Sequence, residues 1–312
     1  MVPARGGLVA AALAIVYVVW GSTYLGIKIV VEDAPPMTSM GLRFVTAGLV
    51  LGIVLSVAHR GVGRLALTRR QLAGTAFLGL TLPLLGNGLV SIGEQKGATS
   101  GYAALLIAVA PLIIVVFRLL EGDMPRPATL VGVALGFVGL AVLVVLGRGA
   151  GDFSVVPALI VLFAASCWAL GSYVQPRLWL PSDPFVVAVW EMVLGGLMMV
   201  ATGMAIGERF TFDYPSTTWW ALSYLVVFGS VVGFTAYVWL VANAPISLVA
   251  TYAYVNPVIA VFLGWLILDE AITWPIVAGG TIVVAAVALV ISAERKPRVV
   301  APVLEPEVLD AR

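Results

Sequence analysis

From Ile246 to Leu268 the chain runs for 23 residues without a charge, as ISLVATYAYVNPVIAVFLGWLIL. A bilayer core of roughly 30 Å takes about 20 apolar residues in a helix, so this run is long enough to cross one. Asn256-Pro257 sits in its middle. Proline removes a backbone hydrogen bond and loosens the turn before it. In lipid, freed backbone groups and an amide side chain are tolerated only where they face protein or a water-filled cavity. This span is therefore expected to line something. It has an earlier copy: residues 100–123 place Pro111 where Pro257 stands and Asp123 where Asp269 stands, an offset of 146.

The rest of the chain obeys the same constraint. Of 312 residues, 61% are hydrophobic and 11% charged, with mean hydropathy +1.08. No soluble domain hides so much apolar side chain, which predicts an all-α integral membrane protein with the lipid bilayer as its surroundings. A net charge of +1 gives nucleic acid no purchase. Cys167 is the single cysteine, so no intrachain disulfide and no cysteine metal cluster is expected. Ten apolar spans are read at 8–31, 36–57, 71–91, 98–120, 128–147, 155–174, 184–206, 218–240, 246–268 and 274–292. The first is too long for a signal-peptide core and is read as a retained span.

Lysine and arginine set the expected orientation. With the N-terminus inside, twelve of the 17 fall on the inner side, among them Arg64, Arg69, Arg70, Arg118, Arg126 and Arg177. Lys28, Lys96, Arg148 and Arg209 fall outside, and Arg43 lies within a span. Both termini come out cytoplasmic. The repeat also extends to other spans. Pro36 leads to Arg43 and Gly48, and Pro184 leads to Glu191 and Gly196, at the same spacings of seven and twelve. Trp20-Gly-Ser-Thr-Tyr24 is echoed by Trp168-Ala-Leu-Gly-Ser-Tyr173. Five spans thus repeat as five. Because five is odd, the second unit enters the membrane from the opposite side. The expected architecture is two inverted five-helix repeats, at 8–147 and 155–292, with a charged, proline-bearing tail at 293–312 read as disordered and cytoplasmic. Inverted repeats of this kind build transporters with a site near the midplane, between the halves.

WGSTYLGIK at 20–28, PPMTSMGLRFVTAG at 35–48, GNGLVSIGEQ at 86–95, SGYAALLIAVAP at 100–111, EMVLGG at 191–196, FGSVVGFTAYVWL at 228–240 and ATYAYVNPVIAVFLGWLILDE at 250–270 follow one another in order. In that order they resemble EamA-type members of the drug/metabolite transporter superfamily, most of all the branch of indigoidine-exporter-like permeases. Two EamA units cover nearly all of residues 10–292. The resemblance implies ten helices, an inner-membrane location and export of small metabolites, often amino acids or related compounds. It does not identify the substrate.

Ionisable groups within a span cost about 2.5 kcal/mol or more, so Arg43 and Glu191 are expected to face the bundle interior. Glu191 would bind a substrate ammonium or a proton, and Arg43 a carboxylate. The alternative is a structural lock onto a loop or helix end. Tyr17, Trp20, Tyr24 and Lys28 share one face of the first helix, with Trp20 and Tyr24 expected at a cavity and Lys28 reaching the outer surface. Asn87, Ser91 and Glu94 form a stripe on the third, with Glu94 and Lys96 placed in the outer loop. Ser223, Ser230 and Tyr237 align on the eighth, Tyr252 and Asn256 on the ninth. Trp168 and Ser172 repeat the first-helix pattern. Trp20, Tyr24, Asn87, Trp168, Glu191, Tyr237, Tyr252 and Asn256 are thus the expected substrate-binding residues, and Pro111 and Pro257 the helix breaks. Gly132, Gly136 and Gly139 allow close packing, within one subunit or between two, so the chain is expected as a monomer or homodimer.

The leading reading is a secondary exporter of a small molecule by alternating access, needing no cofactor or metal. A non-concentrative facilitator or exchanger is the alternative. An intramembrane enzyme is disfavoured: His59 is the single histidine, and no nucleophile–base or metal-ligand constellation is present. No phosphate-binding loop of the Walker type occurs, which excludes direct drive by ATP through that motif.

Overall fold

The computed structural model describes residues 6–58, 61–146, 155–244, 246–249 and 251–294. Arg5, His59, Arg60, Arg148 and residues 295–312 lie outside the described residues; of the tail read as disordered, Ala293 and Glu294 instead end the last helix. Among the described residues every regular element is helical. Nine helices are long and apolar enough to cross a membrane: α1 (Gly6–Asp33), α2 (Pro36–Ala58), α3 (Arg69–Gln95), α4 (Ser100–Leu120), α5 (Pro127–Leu146), α6 (Val155–Arg177), α7 (Pro184–Ala205), α8 (Ser216–Leu240) and α10 (Trp274–Ala293). The remaining span, α9 (Tyr252–Leu268), is a shorter apolar helix. Large apolar side chains such as Val57, Phe163 and Trp265 stay exposed on the outside of the bundle, where a soluble protein would bury them.

Helix ends follow local chemistry. Pro36, Pro127 and Pro184 open α2, α5 and α7, where a missing N–H costs nothing. Thr68 and Gln71 form a reciprocal capping box ahead of α3. Gly97, Gly122, Gly207 and Asp269 carry positive φ just past α3, α4, α7 and α9. Each lets the chain fold back on the helix it leaves, as the Glu208 N–H does onto the Gly203 carbonyl at 2.9 Å.

The two repeats interlock. Helices in equivalent positions pack on each other, α2 against α7 and α5 against α10. Where α2 crosses α7, a Cβ on Gly41 would meet the Gly196 carbonyl at 2.8 Å, and one on Gly196 would meet the Gly41 carbonyl at 2.7 Å. About two turns further on, Gly48 lies against Val189 and Val193. Gly48 and Val189 hold the inverted counterparts of the positions of Gly196 and Gly41, as a pseudo-twofold axis between the helices requires. Gly132, Gly136 and Gly139 face α10 of the same chain, at Ala286, Val290 and Gly279. The apolar cores mix both halves as well: one gathers α4, α5, α6 and α10, another α2, α7, α8 and the end of α1.

Two features depart from the spacing argument. The ninth span does not run unbroken from 246. A short helix, Ile246–Val249, precedes α9, and Pro257 lies inside the first turns of α9 rather than at the break. Thr251 ends the short helix by donating both its N–H and its hydroxyl to the Leu248 carbonyl, at 3.2 and 2.5 Å. In α4 the interruption instead falls at Ala108 and Val109, directly before Pro111. Furthermore, α3 and α8 contain wide π-type turns, over Leu80–Gly88 and Leu225–Val232. These shift the register, which is why Ser223 is exposed while Ser230 is buried, although their spacing aligns them.

Candidate functional site

Wide turns, broken helices and glycines converge on one cavity of about 410 Å³ between the halves. That is a normal size for a small-molecule site. Trp20, Tyr24, Arg43, Asn87, Pro111, Trp168, Glu191, Tyr237, Tyr252, Asn256 and Pro257 all line it. The structure therefore brings together every residue singled out above as a binding or helix-break candidate.

The aromatic wall is a contact set. Trp20 lies 5.0 Å from Tyr237 and 5.2 Å from Tyr252, centroid to centroid, and Tyr237 stands edge-on to Tyr252 at 5.9 Å. The Trp20 indole fits because Gly233 has no Cβ to meet it. Trp168 fits in the same way against Gly86. Gly88, on the other side of Asn87, receives Met37. Tyr17 stands outside the lining and hydrogen-bonds Thr251 through its hydroxyl. In the amide orientation that satisfies its neighbours, Asn256 Nδ2 donates to the Tyr252 carbonyl at 3.2 Å and the Tyr17 carbonyl at 3.3 Å.

Two charges face the cavity. Arg43 Nε donates to Ser230 Oγ at 3.1 Å, and Nη1 to Asn87 Oδ1 at 3.5 Å; its guanidinium also lies 4.8 Å from the Phe44 ring centroid. No carboxylate among the described residues pairs with it. Glu191 is buried too and accepts no side-chain hydrogen bond from the described residues. The two are not locked together. Gly41 opposite Gly196 and Gly48 opposite Val193 set the register of α2 on α7, placing Glu191 roughly 7 Å from Arg43 along the axis at about 1.5 Å per residue.

The lining is uneven along the axis. Toward the loops at 33–36 and 95–100 it ends in buried Ile27, Val90 and Ala104. Toward the loops at 120–127 and 177–184 it reaches Gln175, the exposed member of the lining, on a short 3₁₀ turn after Tyr173. Gln175 gave no signal in the sequence beyond a polar residue at the end of a span. Two placements are corrected. Glu94 is not in a loop: it is fully buried in the last turn of α3. Lys28 does not simply reach to the outer surface, since its Nζ donates to the Glu94 backbone carbonyl at 3.1 Å. The same carbonyl also accepts from the Gly97 N–H at 3.1 Å, so the lysine adds a charged donor at the helix end.

The chain as a whole is similar to known proteins. The EamA-like transporter family matches twice, over residues 7–145 and 156–292. The Escherichia coli K12 inner membrane transporter YedA is 35% identical over 301 residues, covering 94% of this chain and 95% of YedA. The Bacillus subtilis transporter YvbV is 27% identical over 280 residues, covering 89% and 90%. A crystal structure at 22% identity superposes with TM-score 0.64 over 94% of this chain and 99% of the other, which shows a shared fold. With a family match in each half and a relative at that identity over nearly its full length, this chain belongs to the EamA-like transporter family and is a multi-pass membrane transporter.

Proposed function

We propose that the chain is a secondary-active exporter of small zwitterionic metabolites, amino acids or related compounds, working by alternating access in the inner membrane with both termini cytoplasmic. One observation carries the reading: Arg43 and Glu191 face the same cavity, and neither is paired with an opposite charge among the described residues. Buried charges without partners are costly, and a substrate carrying both an anionic and a cationic group answers both. Arg43 takes the carboxylate and Glu191 the ammonium. Trp20, Tyr237 and Tyr252 supply an apolar and cation-attracting wall beside them. The orientation rests on the lysine and arginine bias. In that orientation the cavity reaches Gln175 on the cytoplasmic side, the side from which an exporter loads.

The test begins by comparing metabolites in the medium of overexpressing and deletion strains. The compound found is then followed by counterflow into proteoliposomes of purified, monodisperse protein. Glu191→Gln and Arg43→Gln are each expected to cut counterflow at least about tenfold, the equivalent of about 1.4 kcal/mol of substrate interaction. Wild-type counterflow in both variants overturns the reading. Loss of concentrative export alone, with counterflow kept in Glu191→Gln, would move Glu191 from gripping substrate to carrying protons.

A further inference from the structure

Glu94 is the one described carboxylate with both side-chain oxygens buried and without a hydrogen-bond partner. It is 0% exposed and lies at the closed end of the bundle, away from Gln175. An ionised carboxylate so placed forfeits its hydration without any compensating bond, a penalty of several kcal/mol.

The groups around it do not relieve that penalty. From α1, Lys28 and Tyr24 lie within electrostatic reach. Lys28, however, makes its bond to the Glu94 backbone carbonyl and forms no ion pair with the carboxyl. Glu270, in the loop after α9, is a second carboxylate within reach. It is held at the start of α4, accepting from the Ser100 N–H at 2.7 Å, the Ser100 hydroxyl at 2.9 Å and the Gly101 N–H at 3.3 Å. From α2, Arg43 is engaged by Ser230 and Asn87. The first turn of α4 carries Tyr102, and from α6 Pro157 and Val161 lie nearest to where a Cβ on Gly93 would stand in this turn.

We propose that Glu94 is a proton-binding site that closes this end of the cavity: it carries a proton while α1, α3 and α4 pack around it, and loses the proton when they part. On opening, the carboxyl O–H bond breaks and the proton passes to the water that enters. The carboxylate left behind is hydrated and repelled by Glu270, which keeps the end apart. Reprotonation from the same side removes that repulsion and lets the helices close. Only its place in a transport cycle rests on the alternating-access reading; the proton on Glu94 does not.

The experiment therefore uses no transport substrate. Full-length protein in lipid nanodiscs is taken from low to high pH and followed by infrared difference spectroscopy in the neutral-carboxyl region. Wild type is expected to show a neutral-carboxyl band that fades as pH rises. The difference between wild type and Glu94→Gln should contain such a band, and that difference should be retained in a Glu191→Gln background. In a Cys167→Ser background, Ala98→Cys, at a buried position beside α4, reports opening through its reaction with an impermeant maleimide. Its rate is taken relative to Lys96→Cys, which is exposed and corrects for thiol ionisation. That ratio is expected to rise at least tenfold with pH, and to stay flat when Glu94→Gln is added. No band in the difference between wild type and Glu94→Gln overturns the proton site, and a pH-independent ratio in wild type overturns the gate. If Glu94→Gln does not fold, Glu94→Asp must shift the midpoints of both signals; unchanged midpoints overturn the proposal as well.

Discussion

The two ends of the bundle use acidic residues in opposite ways. Where α2 and α4 begin, Glu208 and Glu270 from the second half cap helices of the first. Glu208 accepts from the Met37 and Thr38 N–H groups at 3.1 and 2.7 Å and from the Thr38 hydroxyl at 2.7 Å, and Glu270 does the same for Ser100 and Gly101. At the other end the acids meet arginines on the surface: Arg64 with Asp183, Arg118 with Asp123 and Arg177 with Glu121, all at 2.7–2.8 Å. A carboxylate on a helix N-terminus gathers charge-assisted bonds and complements the helix dipole. An exposed ion pair is worth about 0–1 kcal/mol and can break and re-form in water. The first end is therefore held more firmly while closed, whereas the second, where the cavity reaches Gln175, comes apart at little cost.

The largest effect is expected from removing the caps. Glu208→Gln and Glu270→Gln each exchange charged for neutral hydrogen bonds, at about 1–3 kcal/mol per site. Together they should lower the melting temperature in detergent markedly and expose Ala98→Cys to labelling. An unchanged melting curve for the double variant would erase the contrast between the ends.

An intermediate effect separates two matched turns. Gly122 and Gly207 have nearly the same φ, 83 and 86°, and open space where a Cβ would go. Each is followed by an acid, Asp123 or Glu208. Alanine costs about 1–2 kcal/mol at either through the left-handed backbone alone. Gly207→Ala should cost more than Gly122→Ala, because it also displaces Glu208 from α2. Equal losses would mean that the cap tolerates the shift.

The smallest effect belongs to Arg64→Ala. Its pair with Asp183 is 44% exposed on the arginine side, and Asp183 keeps its bond to the Phe185 N–H at 2.9 Å. Stability should change by no more than about 1 kcal/mol, and less at high salt. A larger loss would show that this end, too, is held by its charges.

Much of this was legible in the sequence, for reasons that differ by residue. The spans show because apolar length is a local property. Arg43, Glu191 and Asn256 could be assigned inward because each is too costly to leave in lipid. Trp20 and Trp168 could be matched because the repeat places them in equivalent helices. Glu94 was misplaced because Gly-Glu-Gln-Lys-Gly reads as loop, and nothing within a few residues reveals that α1, α4 and α6 close over it. Ser223 was misaligned because π-type turns leave no reliable mark in residue spacing. Gly41 went unnoticed because its reason for being glycine is the Gly196 carbonyl.

By itself, the sequence determined that this chain lives in a membrane, that it is built from two units of opposite entry, and which polar side chains must turn inward. Those outcomes depend on one-dimensional patterns of hydropathy, charge and repetition. Only the tertiary structure decided which end is closed, where the helices break, and which carboxylate is capped, paired or left alone. Glu270 and the Ser100 N–H it holds are 170 positions apart, so their meeting is settled by the packing of whole helices and by no local pattern.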